Sequence, residues 1–188
     1  MSARWRTDED EWDRLSSDEL RVLAEYRQPL ERWGYAGKEV GTPEGNIRGL
    51  SIYHLVTDIS DVVFRTISNL SGSGRVPRTD TITKLQSAQI NLGNLLDQDR
   101  LGDCTTRGLR RDIVQFLDPF VRGRGGVALE QLADQPLEDY AHSPPYIAIV
   151  TAANALVYMA YGDFREAREI IDSYIAEYDE NYPDSDDD

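Results

Sequence analysis

The sequence predicts an all-α protein, a single-domain bundle of six to seven helices with an N-terminal arm and a short acidic C-terminal tail. Apolar residues recur at spacings of three and four along most of the chain, which is the period of an amphipathic helix. No stretch combines period-two alternation with turn signals at strand spacing. Short clusters of Gly, Pro, Ser and Asp separate the helices, and short connections favour antiparallel neighbours. We expect the arm at residues 1–15, the bundle at 16–182 and the tail at 183–188.

The first helix is expected to begin at a capping box. Ser16 and Glu19 have the spacing at which the serine hydroxyl accepts from the Glu19 amide while the Glu19 side chain reaches back. Pro29 is expected to kink or split this helix, because proline removes a helical hydrogen bond. The apolar stripe that follows the cap consists of Leu20, Leu23, Tyr26 and Leu30.

The second helix is expected between about residues 46 and 70, after the turn sequence at 41–45. Its inward seam consists of Val56, Ile59, Val63 and Leu70, widened by Leu55, Val62 and Ile67. After a loop at 71–77, Thr79 or Asp80 is expected to cap a third helix. The inward residues of the third helix are Ile82, Leu85, Leu92 and Leu96.

Two further helices are expected in the middle of the chain. One runs from Thr105 or Thr106 to about Phe120, and a loop at 121–126 follows it. The next is short, at roughly 129–140.

Two helices are expected in the last part of the chain. Ser143 followed by Pro144 and Pro145 is a helix-start signal, since proline suits the first turn. The segment 146–161 is apolar almost all round and is predicted to be the central buried helix, whereas 164–178 is amphipathic.

Residues 155–167 (ALVYMAYGDFREA) place small, aromatic, Gly, aromatic and Ala residues in a defined order. In these positions the hairpin 146–178 resembles one tetratricopeptide repeat, and the resemblance covers about one such unit. It implies that Ala155 and Ala167 let the two helices approach closely and that Gly162 permits the turn. It also implies that Tyr158 and Phe164 fill the wedge between the helices, and that the hairpin serves interaction rather than catalysis. A generic helical hairpin packed on the bundle is the alternative.

The composition points to an unusual solvent. The chain holds 21 Asp and 13 Glu against 18 Arg and 2 Lys, for a net charge of −14. Hydrated carboxylates keep such a surface soluble in molar salt, where a Debye length of about 3 Å mutes their repulsion. We therefore expect a halophilic archaeon, or a virus or plasmid of one, as the source.

Several classes of protein are excluded by composition. A single cysteine, Cys104, excludes an intramolecular disulfide and a multi-cysteine metal site, and two histidines argue against a His-rich one. We expect no cofactor and no metal. No apolar run reaches the roughly 18 residues of a membrane span, and the acidic N-terminus is unlike a signal peptide. We expect a soluble protein of the cytoplasm or of a virion, with no membrane partner.

Charge is distributed unevenly along the chain. Residues 65–124 carry a net charge of +4, whereas residues 125–188 carry −13. Arginine suits bidentate pairing with carboxylates and phosphates, so the arginines of this basic segment are candidate partner-binding residues. They are Arg107, Arg110, Arg111, Arg122 and Arg124. Three interpretations stay open: pairing with the chain's own acidic C-terminal helix, an acidic protein partner or second copy, and the less favoured nucleic acid, whose binding weakens in salt.

The arm adds two candidate partner-binding residues. Trp5 and Trp12 are seven residues apart, so they share one face if the arm is helical. Either the arm packs its tryptophans on its own bundle, or it anchors them in a neighbouring subunit, where tryptophan is enriched at binding hot spots.

One pair of residues suggests catalysis. Arg48 and His54, in the sequence RGLSIYH, resemble the Arg-then-His spacing of the HEPN ribonuclease families, which are also small helical bundles. The resemblance implies that Arg48 stabilises phosphate charge and that His54 acts as acid or base. Gly49 follows Arg48 where a polar residue is usual, and the motif lies early in the chain rather than on a late helix. A histidine held by its own helix is the alternative.

These observations together favour a non-catalytic helical assembly or adaptor protein. We expect it to dock to another protein, or to copies of itself, through the tryptophan arm and the basic segment, as a structural or connector component of a halophilic archaeon or its virus. A HEPN-like ribonuclease and a nucleic-acid-binding regulator are the alternatives.

Overall fold

Helices make up almost all of the described structure, as the sequence predicts. The computed structural model describes residues 5–6, 14–32, 58–68, 70, 78–97, 124–137 and 141–183. Within these ranges it holds six helices and no β-strand, so the all-α prediction is confirmed. The helices are α1 (Ser17–Arg32), α2 (residues 58–68), α3 (Arg78–Asp97), α4 (Arg124–Ala133), α5 (Pro144–Ala160) and α6 (Phe164–Asn181).

Helix α5 is the centre of the bundle. Of its 17 residues, 14 are buried, because its sequence is apolar on every side. It contacts α2, α3, α4 and α6. The prediction of a central buried helix here is confirmed.

Helix α1 begins at the predicted capping box. The Glu19 amide donates to Ser16 Oγ at 3.1 Å, and the Ser16 amide donates to Glu19 Oε1 at 3.0 Å. Leu23 and Tyr26 are buried on the inward face. Pro29 lies inside the helix, which continues to Arg32, so proline does not split it.

Helix α2 contains a turn that the sequence did not predict. Residues Asp61–Arg65 wind as a π-helix, with the α-helical turn Thr66–Ser68 after it. The predicted seam residues Ile59, Val62, Val63 and Ile67 are all buried, and so is Phe64. The helix is therefore enclosed on more sides than a single seam requires.

Two predicted boundaries are wrong. Helix α3 begins at Arg78, so Thr79 and Asp80 lie within its first turn rather than before it. Helix α4 spans Arg124–Ala133 instead of 129–140, so Arg124 starts a helix and does not lie in a glycine loop. Burial of Leu129 and Leu132 outweighs the poor helix propensity of the two glycines that follow Arg124. Pro136 prevents the helix from extending to 140, because a residue before proline avoids helical geometry.

Helices α5 and α6 form the predicted hairpin. Gly162 has a φ of 82°, a left-handed conformation that favours glycine and closes the turn. The Asp163 side chain caps α6 by accepting from the Glu166 amide at 3.1 Å. Ala155 and Ala167 are fully buried, as expected for helices that approach closely.

Other predictions fall outside the described residues. The helix predicted at 105–120, the loop at 71–77 and most of the tail, 184–188, are among them. In the described part of the chain, no helix is both long and apolar enough to cross a bilayer.

Candidate functional site

The first residues of the chain that the structure describes lie against its C-terminal end. Trp5 and Arg6, which we call the N-terminal segment, run alongside His142, which Trp5 pairs with in a short parallel bridge. The Arg6 amide donates to the His142 carbonyl at 2.7 Å. The Tyr182 hydroxyl donates to the Arg6 carbonyl. Both backbone polar groups of Arg6 are therefore hydrogen-bonded to the bundle.

Three tyrosines of the C-terminal region receive the Trp5 side chain. Tyr174, Tyr178 and Tyr182 are spaced four residues apart, and we call them the aromatic cradle. The Trp5 ring lies 5.2, 6.2 and 5.8 Å from their respective ring centroids, with tilted and edge-on geometry. Such aromatic pairs contribute about 0.5–1.5 kcal/mol each beyond their area burial. The Trp5 Nε1–H donates to Glu177 Oε2 at 2.9 Å, which satisfies the polar edge of the indole.

A fully buried carboxylate holds the Arg6 side chain. Glu19 Oε1 lies 2.7 Å from Arg6 Nη2, and the Glu19 side chain has no exposed area. Its Oε2 accepts from the Ser143 amide at 3.2 Å and from the Ser143 hydroxyl at 2.5 Å. The Arg6 Nη1 donates to the Arg14 carbonyl at 2.7 Å. Glu19 thus ties together the start of α1, the start of α5 and the N-terminal segment.

Ser143 does not act as the side-chain cap that its position suggests. Helix α5 begins at Pro144 as predicted, but the Ser143 side chain makes no capping bond to the helix. The two prolines after it have no N–H to cap, and the Ser143 hydroxyl donates to Glu19 instead. The Ile147 amide still donates to the Ser143 carbonyl at 3.1 Å.

His142 is buried beneath the N-terminal segment. Its ring stacks on Tyr146, with centroids 4.9 Å apart and planes within 10°. Burial lowers the pKa of His142 below its ordinary value, the neighbouring Glu19 carboxylate opposes that shift, and Arg6 adds to it. The folded protein therefore favours the neutral imidazole.

The lowered pKa of His142 predicts that acid weakens the fold. Above the ordinary histidine pKa of about 6.5 both folded and unfolded chains hold a neutral imidazole; below it the unfolded chain binds a proton that the folded chain resists. The stability that the neutral ring supplies is thus lost as the pH falls from about 6.5 through the folded pKa, with a limiting slope of about 1.4 kcal/mol per pH unit. Urea unfolding between pH 7.5 and 5 at constant molar salt measures it.

The control for that measurement is His142→Gln, which keeps every carboxylate and His54. Only the slope is compared, because the substitution shifts the absolute stability as well. We expect the variant to have the flatter profile between pH 6.5 and 5. Parallel profiles for the two proteins would show that His142 does not contribute.

The structure brings one predicted partner-binding residue into this site. Trp5 packs on its own bundle, which is one of the two alternatives that the sequence leaves open for the arm. A contact between Trp5 and a partner would have to replace the contacts with the aromatic cradle.

The structure describes one other predicted site residue. Arg124 is the first residue of α4. Trp12, the four other candidate arginines (Arg107, Arg110, Arg111 and Arg122) and the proposed catalytic pair (Arg48 and His54) lie outside the described residues.

Sequence reasoning missed most of this site. The sequence predicts only a capping role for Glu19, and nothing local marks its contacts with Arg6 or with Ser143, which lies 124 residues away. The four-residue spacing of the tyrosines was a usable signal, since residues at that spacing share one helix face. Tyr182 continues the row that Tyr174 and Tyr178 begin in the predicted helix.

Asp61 is the other buried carboxylate of the described residues, and it too forms ion pairs within the protein. Asp61 Oδ1 lies 2.8 Å from Arg65 Nε, and Oδ2 lies 3.0 Å from Lys84 Nζ. Asp61 and Arg65 are four residues apart on the same helix. The Asp58 carboxylate accepts from the Ser87 hydroxyl at 2.7 Å and so joins α2 to α3.

Among the described residues there is no group of three or more His, Cys, Asp or Glu that could hold an ion. Comparison of the chain with protein-family models, with curated proteins and with solved structures finds no match.

Proposed function

We propose that this chain is a non-catalytic helical assembly or adaptor protein that acts through protein–protein contacts. The supporting observation is the contact between the N-terminal segment and the aromatic cradle. A short extended piece of chain is held there by a tryptophan, an arginine and three tyrosines. Tryptophan, tyrosine and arginine are the residue types enriched at interface hot spots, so the contact has the chemistry of a docked peptide.

The engagement of the buried carboxylates also supports a non-catalytic role. Glu19 accepts from Arg6, Ser16 and Ser143, and Asp61 pairs with two cations. A general acid or base needs an oxygen within reach of a substrate proton. Both carboxylates are instead committed to joining helices.

The outward face of α6 is a second candidate docking surface. Glu169, Asp179 and Glu180 are exposed on it, and none of the ion pairs between described residues involves them. A row of exposed carboxylates is complementary to a basic surface. In this proposal the arginines of segment 107–124, in the same chain or in a second copy, supply that surface.

The composition and the hairpin add detail to the proposal. The Lys-poor, Asp-rich chain suits a halophilic archaeon or its virus, in which it would serve as a structural or connector component. The tetratricopeptide-like hairpin, with Ala155 and Ala167 buried between its helices, suits an interaction module. The setting would be the cytoplasm or a virion.

The self-association form of this proposal is tested by mass. Light scattering in molar KCl, from micromolar to millimolar protein, should return masses above one chain for the wild type. The double variant Trp5→Ala, Arg6→Ala should shift the mass towards one chain, because it removes both side chains that anchor the N-terminal segment. This variant is preferable to deleting residues 1–15, since Leu15 belongs to the core.

Two outcomes would contradict the proposal, each in a different part. A single-chain mass at every concentration, for both proteins, would overturn self-association. RNA cleavage that His54→Ala abolishes would overturn the non-catalytic assignment itself.

A further inference from the structure

The contact between the N-terminal segment and the bundle has three separate recognition elements. The aromatic cradle and Glu177 take an indole and its N–H. The His142 carbonyl and the Tyr182 hydroxyl take an extended backbone. The buried Glu19 takes a guanidinium. The surface therefore binds a tryptophan followed directly by an arginine, in extended conformation.

Most of these contacts do not require the segment to belong to the same chain. The receiving atoms lie on residues 136 or more positions away in the sequence, apart from Glu19 in α1 and the Arg14 carbonyl. A Trp-Arg segment from another molecule would meet the same atoms at the same distances. Exchange of identical elements between protomers is a low-cost route to an oligomer for this reason.

We infer that this surface is an exchange site, which in the assembled protein binds Trp5 and Arg6 of a second copy of the chain. The inference rests on the proposed function and names the surface through which it operates. A second copy is the occupant that the contacts specify, because it carries the matching dipeptide by identity. The chain's own segment competes at the effective concentration set by its tether, so exchange grows with protein concentration.

Two full-length variants separate donor from receiver. Trp5→Ala keeps the aromatic cradle and lacks the indole that fills it. Glu177→Arg with Tyr182→Ala keeps Trp5 and Arg6 but loses the indole acceptor and one backbone donor, both near the end of α6. Each variant alone should sediment with the mass of one chain in molar KCl. An equimolar mixture should contain a species of two chains, one of each kind.

The matched aromatic control is Tyr161→Ala. Tyr161 is 60% exposed and lies at the opposite end of α6 from the cradle, where its hydroxyl donates to Glu130. This variant should assemble as the wild type does. Circular dichroism checks that each variant keeps its helix content.

A measurement on the unmodified protein covers the case in which a variant misfolds. Isotope-filtered NMR on a concentrated mixture of labelled and unlabelled chains should show contacts between the Trp5 indole of one copy and the Tyr178 ring of another. Their absence in a sample that sediments as an oligomer would overturn the exchange site.

The outcomes distinguish this inference from the proposed function. If the wild type and both variants assemble equally, assembly uses another surface; the exchange site falls and the proposed function stands. If no sample assembles and no heterodimer forms in the mixture, both the exchange site and self-association fall.

Discussion

Replacing Glu19 with alanine should lower the free energy of unfolding by about 3–5 kcal/mol, the range for removing one partner of a buried ion pair. The Glu19 side chain is fully buried, and the Arg6 side chain that faces it is 14% exposed. Without the carboxylate, the Arg6 guanidinium keeps the Arg14 carbonyl but loses its counter-charge.

The loss extends beyond the ion pair. The Ser143 amide and hydroxyl both donate to Glu19, and Ser143 is fully buried. A buried donor left without an acceptor costs about 1–3 kcal/mol. The Ser16 amide also loses its acceptor at the start of α1, although it is less buried. The three segments that this carboxylate joins would therefore be loosened together.

The free energy of unfolding is measured by urea unfolding at constant molar salt. Two further variants serve as controls. Glu19→Gln keeps the shape and one acceptor oxygen but not the charge, so we expect a loss of about 2 kcal/mol. Glu25→Ala, at an exposed position of the same helix, should change stability by no more than about 0.5 kcal/mol. A loss at Glu19→Ala as small as that at Glu25→Ala would mean that the carboxylate does not organise the N-terminal end of the bundle.

Local signals in the sequence predicted the fold well. The capping box at Ser16 and Glu19, the proline start of α5 and the glycine turn at Gly162 each depend on residues within a few positions. Such contacts are specified by backbone chemistry alone. The errors arose where packing overrode propensity, as in α4, which starts at Arg124 and runs through two glycines.

The candidate site could be predicted only in part, because it is built from residues distant in the sequence. The row Tyr174, Tyr178 and Tyr182 is visible as helical spacing, and Trp5 was visible as an unusual residue in a polar arm. That these two features meet depends on the path of the whole chain. The sequence likewise does not predict that Glu19 accepts from Ser143, because a local role as a cap already accounts for Glu19.

Helix α2 shows a different limit. The predicted seam assumes 3.6 residues per turn and assigns no inward role to Phe64. The four consecutive residues Asp61 to Phe64 are nevertheless buried, within the π-helical turn. Four consecutive residues span most of a helical turn, so this part of α2 is covered on nearly every side. Its neighbours α3 and α5 provide that cover.

Phe64→Ala should therefore lower the free energy of unfolding by about 3–5 kcal/mol, the cost of emptying a packed aromatic site. The Phe64 ring is 1% exposed and is among the largest fully buried side chains of the described residues. The cost divides into the lost transfer free energy of the ring and a cavity that its helical neighbours cannot close. If α2 were an ordinary surface helix with one inward face, Phe64 would lie towards solvent. Phe64→Ala would then lower the free energy of unfolding only slightly.

Phe64→Leu tests how much of this stability depends on the volume of the side chain. Leucine refills most of the volume, so the loss should be below about 1.5 kcal/mol in a close-packed site. Urea unfolding of the wild type and both variants in molar KCl gives the two differences in free energy of unfolding. The denaturant slope should be the same for all three proteins if the native packing is retained. Losses below about 0.5 kcal/mol for both variants, the range of surface substitutions, would show that Phe64 is not part of the core. Equal and large losses would instead mean that the π-helical turn requires an aromatic ring and not merely apolar volume.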